Sequence, residues 1–299
     1  MSKSVTRYFS RSAFLLFATG VLVSSGCSSS KPPMPAAVVV SEGYTRALKQ
    51  YNKNDFQEAA LVLESLLFTS RATALEDDVL YLLAQTYFHS GQYLLAAEMY
   101  ARLQQQMPTS PYARASQFMI AKSYEKLSLP VGLDQQPTRK AIENFALYMD
   151  LYPMADSSKI ASDVETYREL LKINPKNDLY KQRLETATAN FSRVDSLRYS
   201  EKAISSLREK LAKHVLMVAH EYVKLGKLKA AGIFFDELIE RYSDTSYLKQ
   251  GIEGKIDVLV KRKKWFDASQ TLEQYLKRYP EKMREMQGIK KNIAQNLKI

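Results

Sequence analysis

The chain has 299 residues, of which 43 are basic, 32 acidic and one a cysteine, with a formal net charge of +11. This length allows a large core or an elongated array, and a single cysteine excludes an internal disulfide framework. The charge is uneven, because residues 27–200 are neutral overall whereas residues 201–299 carry +8. The basic last third suits an acidic protein surface or anionic lipid, or is a solvated helical face.

Residues 1–26 have the pattern of a bacterial export signal. Basic residues are followed by an apolar stretch too short to span a bilayer, and small residues precede Cys27. This segment is similar to a lipobox, in which the cysteine is acylated after cleavage. Several acyl chains hold a protein stably on a membrane, so we predict that Cys27 is a lipid anchor in the outer membrane. The alternative is an ordinary cleaved signal with an unrelated cysteine.

Residues 27–41 are predicted to form a flexible tether because serine and proline are frequent there. From about Glu42 the chain is predicted to be helical. Glycine is scarce, and apolar residues recur at intervals of three and four. The protein body is therefore expected to be all-α.

The predicted helices repeat with a period of 37 residues. Equivalent small or aromatic residues occur in five registers, such as Ala47 and Ala84, Tyr87 and Tyr124, and Ala231 and Ala268. This spacing is typical of a tetratricopeptide repeat, in which small residues let two helices approach closely and aromatic rings fill the space between them. The sequence therefore predicts a solenoid of about five helix hairpins in two lobes.

The lobes and their connection follow from the positions of the repeats. Three repeats are assigned to an N-terminal lobe at residues 42–163, and two to a C-terminal lobe at residues 206–299. Residues 164–205 break the period and are predicted to be a helical insertion, with an interruption at residues 174–177. Trp265 falls in register with Phe56 and is predicted to be a hairpin core residue.

Three segments go beyond the generic repeat. They are residues 134–141, residues 207–222 and residues 230–245. Together with the lipobox, the tether and the repeats, they resemble the BamD family of outer-membrane lipoproteins. The resemblance covers nearly all of the chain after Cys27 except residues 164–199. Two positions depart from the family pattern, because Ser243 stands in place of a proline and Phe234 in place of a basic residue.

The resemblance implies a scaffold of the machinery that assembles β-barrels into the outer membrane. Its expected partners are the POTRA domains of the barrel assembly protein, unfolded outer-membrane protein precursors, and the membrane through a lipid anchor on the periplasmic side. Nucleic acid is not expected as a partner. The alternative is another periplasmic tetratricopeptide lipoprotein that serves envelope biogenesis or cell division.

The sequence contains no convincing catalytic or metal-binding pattern, and no cofactor or enzymatic activity is predicted. The three histidines do not form a metal-ligand motif, and phosphate loops and nucleophile motifs are absent. Asp77 and Asp78 are predicted to stabilise a helix start. A helical-repeat peptidoglycan lyase would need a catalytic domain for which no room remains.

One pattern indicates a binding groove. Tyr44, Tyr81 and Phe118 recur every 37 residues on the first helices of three successive hairpins. In the tetratricopeptide register these rings face the concave side, where aromatic residues are suited to peptides. The alternative is that the rings pack between adjacent helices. The predicted groove residues are Tyr44, Tyr51, Tyr81, Gln85, Phe88, Phe118 and Lys122.

A second predicted surface is the POTRA contact. It combines a run of basic residues with the aromatic ring at the position where the family pattern has a basic residue. Its predicted members are Phe234, Lys261, Arg262, Lys263 and Lys264.

Overall fold

The computed structural model describes residues 35–153 and 157–297. Within these ranges the chain is helical and contains no strand. The helices are α1 (Ala36–Asn52), α2 (Phe56–Leu66), α3 (Glu76–His89), α4 (Tyr93–Gln106), α5 (Ala113–Leu127), α6 (Gln136–Leu151), α7 (Ser157–Ile173), α8 (Asp178–Lys224), α9 (Leu228–Arg241), α10 (Leu248–Lys261), α11 (Trp265–Arg278) and α12 (Gln287–Leu297), with a 3-10 helix (Pro280–Lys282) before α12. The predicted export signal and Cys27 lie outside the described residues.

The five predicted hairpins are present, which confirms the helical-repeat solenoid. They pair α1 with α2, α3 with α4, α5 with α6, α8 with α9, and α10 with α11. The first residues of α2 and α11 are Phe56 and Trp265, as their common register requires. Trp265 is half-buried and packs on the last core cluster, and α12 covers α11 at the end of the array.

Small residues let the helices of each hairpin approach closely, as the sequence predicted. The register alanines are completely buried: Ala47, Ala59, Ala84, Ala96, Ala121, Ala141, Ala219, Ala231 and Ala268. Tyr100 and Phe235 fill equivalent places in the second and fourth hairpins, and both rings are almost fully buried. Large buried rings beside small residues give each hairpin its own share of a continuous core.

Four hairpins share the same turn. The second residue after the first helix has a positive φ, at Asn54 (61°), Gly91 (80°), Gly226 (67°) and Lys263 (57°). The next N–H then bonds back to a carbonyl of the last helical turn, as in the 2.8 Å bond from Gln92 N to Tyr87 O. This is a Schellman ending, which satisfies carbonyls that a helix end leaves free. The third hairpin instead connects through residues 128–135.

Helix α8 joins the third and fourth repeats without a break. Its residues Ala203 and Leu207 are buried with Ala121, Ala141 and Phe145 of the third repeat. Further along, it supplies the first helix of the fourth hairpin, where it packs against α9. The middle of this 47-residue helix therefore packs on the third repeat, and its C-terminal part is the first helix of the fourth hairpin.

The predicted domain boundaries need correction. The lobe limits at 163/164 and 205/206 fall inside α7 and α8, because residues on both sides of each limit continue one helix. The tether was predicted to reach residue 41, but α1 begins at Ala36. Val40 is completely buried in the first core cluster, so this end of the segment folds onto the array.

The insertion forms a two-helix arm, defined here as residues 157–195. Its helices end and begin around residues 174–177, as predicted, and the Asn177 side chain caps α8 by accepting from Tyr180 N at 3.1 Å. Helix α7 packs chiefly against α8. The α8 part of the arm has about 18 residues and is therefore roughly 27 Å long at 1.5 Å per residue.

Candidate functional site

The three rings of the predicted ladder lie on the first helices of the first three hairpins. Tyr44 is on α1, Tyr81 on α3 and Phe118 on α5, and each is half-buried. Every ring therefore contacts neighbouring helices and also keeps an exposed part. The three rings occupy equivalent positions on their helices and follow one another in chain order from repeat to repeat.

Tyr81 is held between its own hairpin and the next one. Its ring stacks on Tyr112 with centroids 4.3 Å apart, and meets the edge of Tyr100 at 5.8 Å. The Tyr112 hydroxyl donates to Asp78 Oδ1 at 2.6 Å, which raises the pKa of that phenol. Asp77 likewise accepts from Ser110 Oγ at 2.8 Å. The two carboxylates at the start of α3 therefore link successive repeats in addition to favouring the helix start.

Tyr44 and Tyr51 belong to the first repeat and pack against the first core cluster. Burial, followed by the charges of Asp78 and Asp77, raises the pKa of Tyr44. Tyr51 meets His89 edge-on at 5.8 Å. These contacts cross from one repeat to the next, so the ladder rings also stabilise the stack.

Two further predicted groove residues lie on α3. Burial raises the pKa of Tyr81, and a hydrogen bond with Gln85 partly offsets this effect. Phe88 is half-buried and meets Tyr93 of α4 edge-on, with centroids 5.3 Å apart. Both residues lie on the ladder face with part of their surface available.

The third rung is shared with α8. Phe118 contacts Tyr148 at 5.3 Å and Tyr199 at 5.7 Å, and Tyr199 remains 37% exposed. Lys122 Nζ lies 3.9 Å from the Tyr199 ring, whose hydroxyl donates to Glu125 Oε2 at 2.7 Å. Tyr199 was not predicted, because nothing in its local sequence indicates that α8 reaches α5.

The predicted basic run lies at the end of α10 and in the turn to α11. Lys261 Nζ pairs with Asp257 Oδ2 at 2.6 Å, and Lys263 occupies the left-handed turn position. Arg262 extends towards α9, where a Cβ on Gly232 would lie 3.5 Å from its Nη1. Lys264 precedes α11 and is exposed. Cations at a helix C-terminus are favoured by the helix dipole, so these basic residues also stabilise the end of α10.

Phe234 lies on α9 and faces α8. Its ring stacks on Tyr222 with centroids 5.2 Å apart and planes 12° apart. The neighbouring Ile233 is 61% exposed, and Phe266 on α11 is 71% exposed. Exposed apolar side chains thus accompany the basic run in the last two repeats.

The three segments that carry the family resemblance contact one another through α8. Arg208 donates from Nε to Asp244 Oδ2 at 2.7 Å and from Nη2 to Oδ1 of the same carboxylate. The Arg208 hydrogen bond lowers the pKa of Asp244. Glu209 accepts from Ser246 N at 2.8 Å and Ser246 Oγ at 2.7 Å. The start of the fourth repeat is thereby fixed to the turn that leads into the fifth.

The segment at residues 134–141 completes this junction. Gln135 is 1% exposed, and its amide donates to the carbonyls of Pro130 and Leu133, each at 2.9 Å. On α8, Lys210 Nζ donates to Ser128 Oγ at 2.7 Å, and His214 Nδ1 lies 2.6 Å from Val131 O. The long third loop is therefore an ordered part of the contact between repeats.

The described residues contain no group of three or more side chains suited to hold a metal ion. None of the described helices is long and apolar enough to cross a bilayer.

Residues 74–259 match the family model described as "YfiO: Outer membrane lipoprotein". The chain belongs to this YfiO family of outer membrane lipoproteins. The three segments that meet at the α8 junction all lie within the matched range, as does the arm. The range that matches the YfiO family thus covers the second to fourth repeats completely and extends into α10 of the fifth repeat.

No curated protein matches the chain. Among solved structures, it is similar to a tetratricopeptide repeat protein from Parabacteroides merdae, at 15% identity over 87% of this chain and 98% of that one, with a TM-score of 0.33. It is also similar to the TPR2AB domain of yeast Sti1 in complex with pHSP90, at 14% identity over 85% of this chain and 98% of that one, with a TM-score of 0.30.

Proposed function

We propose that this YfiO-family lipoprotein is a scaffold of the machinery that assembles β-barrels in the outer membrane. It is held by lipid on Cys27 at the periplasmic face. Its last two repeats bind the POTRA domains of the barrel assembly protein, and its first three repeats bind unfolded barrel precursors. The observation that carries the proposal is the family match over residues 74–259.

The proposed anchor is tested by Cys27→Ser. Without acylation the protein should be recovered in the soluble periplasmic fraction, because no described helix is able to hold it in a bilayer. The measurement is fractionation of the envelope followed by a high-salt wash. A variant that stays with the outer membrane after the wash would show that lipid on Cys27 is not the anchor.

POTRA binding is supported by the basic run and the exposed apolar residues of the last two repeats. Charge complementarity acts mainly on the rate of association and makes it sensitive to salt. Reversing Lys261, Arg262, Lys263 and Lys264 together should slow association with a purified POTRA domain by about tenfold at low salt. The measurement is surface plasmon resonance at two salt concentrations.

The matched control reverses four basic residues of the arm: Lys172, Lys176, Lys181 and Arg183. It changes the net charge equally and leaves the proposed surface intact. Equal slowing by both sets would assign the effect to overall charge, whereas unchanged kinetics in the first set would remove the basic run from the POTRA contact.

Precursor binding is supported by the half-buried ladder of Tyr44, Tyr81 and Phe118. Rings that are partly exposed and held in place lose little conformational freedom when a peptide packs on them. An extended segment of alternating apolar and polar residues would place every second side chain against this face. The ladder offers such a segment three successive ring contacts.

Tyr81→Ala tests the groove at its middle rung. If the exposed part of the ring contacts precursor peptide, affinity should fall by roughly 1–2 kcal/mol. Tyr100→Ala is the control, because that ring is completely buried and should cost about 3–5 kcal/mol of folding free energy instead. A Tyr81 variant that behaves like the control, with peptide affinity retained in the folded fraction, would identify the ladder as packing alone.

A further inference from the structure

Next to the third rung lies a cavity of about 600 Å³ that involves the arm. Its walls come from the loop before α5, the first turn of α5, the end of α6 and one residue of α8. Pro111, Tyr148 and Tyr152 form apolar and aromatic walls, and Arg114 and Arg193 supply the charges. The cavity borders the third rung, because Tyr148, one of its lining residues, contacts Phe118 at 5.3 Å.

Neither arginine has a counter-ion in the part of the chain that the structure describes. Neither takes part in any ion pair or hydrogen bond within the described residues, and Nη1 of Arg114 is both inaccessible to solvent and without a hydrogen-bond partner. Burial, and then the positive charge of Arg193, lowers the pKa of Arg114. Two guanidinium groups that repel each other in a partly enclosed cavity are unfavourable by themselves, and an oxyanion between them would remove that repulsion.

Arg114 is also close to the third rung of the ladder. It lies four residues before Phe118 on α5, and Lys122 lies four residues after that ring, so the three side chains share one helix face. The ladder crosses α5 at Phe118, and Arg114 lies about 6 Å from that rung along the helix, so the end of a segment on the ladder comes within reach of Arg114. We propose that Arg114 and Arg193 bind a carboxylate of the precursor segment held in the groove, an inference that rests on the proposed function.

Carboxylate is favoured over lipid phosphate by the walls. Pro111, Leu151 and Tyr152 offer accessible apolar surface, which suits an aromatic or aliphatic side chain next to the carboxylate. An arginine fork binds a carboxylate through two parallel hydrogen bonds, which gives direction as well as charge. The carboxylate is either the chain terminus or an acidic side chain close to it, and the peptides below distinguish these sources.

The test compares peptides of identical sequence in fluorescence anisotropy. One eight-residue peptide of alternating apolar and polar residues ends in a free carboxylate, and its twin ends in an amide. We expect the free acid to bind at least about tenfold more tightly than the amide, because charge-assisted bidentate hydrogen bonds are stronger than hydrogen bonds between neutral groups. A third peptide, amidated but ending in Asp, should match the amide if the site takes the chain terminus and the acid if it takes a side chain.

Arg114→Gln and Arg193→Gln should each remove most of this preference. Arg183→Gln is the matched control, because Arg183 is an exposed residue of the same helix as Arg193 and its loss changes the net charge equally. The unliganded Arg193→Gln protein should melt no lower than the wild type, because the substitution relieves repulsion. A lowered melting temperature with the acid preference intact would make the arginines structural.

The outcomes separate this subsite from the groove. If the acid, the amide and the Asp-ending amide all bind equally, the carboxylate subsite is wrong and the groove stands. If neither peptide binds, the proposed precursor site fails, and the subsite is decided by thermal shift with N-acetylphenylalanine against its amide. Stabilisation by the acid alone supports the subsite, and no shift overturns it. Stabilisation by glycerol phosphate without any by N-acetylphenylalanine would overturn it in favour of a lipid headgroup.

Discussion

The junction between the second and third repeats and the junction between the third and fourth are built differently. At the first, a separate helix α5 follows α4, and Tyr81 meets Tyr112 just before the register equivalent of Tyr81, which is Phe118. At the second, Phe118 meets Tyr199 of α8. The residue of α8 that is equivalent to Phe118 in the repeat register is Leu216, which lies 17 residues after Tyr199. At 1.5 Å per residue this is a displacement of roughly 25 Å along α8.

The difference shows that repeat spacing alone does not fix how repeats stack. With a short connection, the next hairpin has to start beside the previous one. With the arm inserted, α8 first packs on the core of the third repeat through Ala203 and Leu207. Only its later residues form the first helix of the fourth hairpin. The interface is filled, but the fourth repeat is moved along the axis.

The largest expected effect comes from breaking α8 at this junction. Ala203→Pro should lower the free energy of unfolding by more than about 3 kcal/mol, because proline removes a helical hydrogen bond at a residue buried in the third repeat. Ala189→Pro is the control in the exposed part of the same helix. It should open the arm while the array unfolds at nearly the wild-type midpoint.

Chemical denaturation and native-state hydrogen exchange distinguish these two variants. Equal losses of global stability would mean that the arm and the junction form one cooperative unit, against the comparison drawn above.

A regular junction is tested by Gly254→Ala on α10. A Cβ at this position would lie 2.3 Å from Cε1 of Phe235, a ring that is 1% exposed and has little room to move. Overpacking should therefore destabilise the protein by about 1–3 kcal/mol, although alanine has the better helix propensity.

Gly288→Ala on α12 is the matched control, because a Cβ there would meet no atom within 4 Å. It should leave thermal stability unchanged or raise it slightly. If both variants are stabilised, α9 and α10 do not approach each other as closely as described.

The irregular junction has its own polar element in Gln135. Gln135→Leu keeps the side-chain volume but leaves two carbonyl oxygens and the Thr138 hydroxyl without this partner. We expect a loss of about 1–2 kcal/mol, in the range for an unsatisfied buried group. Urea denaturation measures the loss, and a neutral result would show that residues 128–135 pack without these hydrogen bonds.

The smallest effect concerns Arg208 and Asp244 within the fourth repeat. The Arg208 hydrogen bond lowers the pKa of Asp244 in the folded state, so its stabilisation is present above the ordinary value of 3.8 and disappears as pH falls through the lowered pKa. Between neutral pH and strongly acidic pH, the wild type should therefore lose more stability than Asp244→Asn. Parallel pH dependences of the two melting temperatures would show that the pair contributes nothing, as many exposed pairs do.

The sequence by itself determined the hairpins and their register. A period of 37 residues with buried alanines at fixed positions specifies which residues meet inside a hairpin, because those contacts are local and repeated. The interruption at residues 174–177 was also visible, since Asn-Pro-Lys-Asn cannot continue a helix. The structure confirmed both.

Only the tertiary structure decided where the repeats stand relative to one another. The lobe limits drawn at 163/164 and 205/206 assumed that a loss of periodicity marks a separate helical segment, yet α8 continues through the second limit. No local sequence pattern marks Tyr199, Arg114 or Arg193. Their role depends on contacts between α5 and α8, whose contacting residues are about 80 positions apart in the sequence. The displacement of α8 places Tyr199 on the ladder and Arg193 in the cavity beside it.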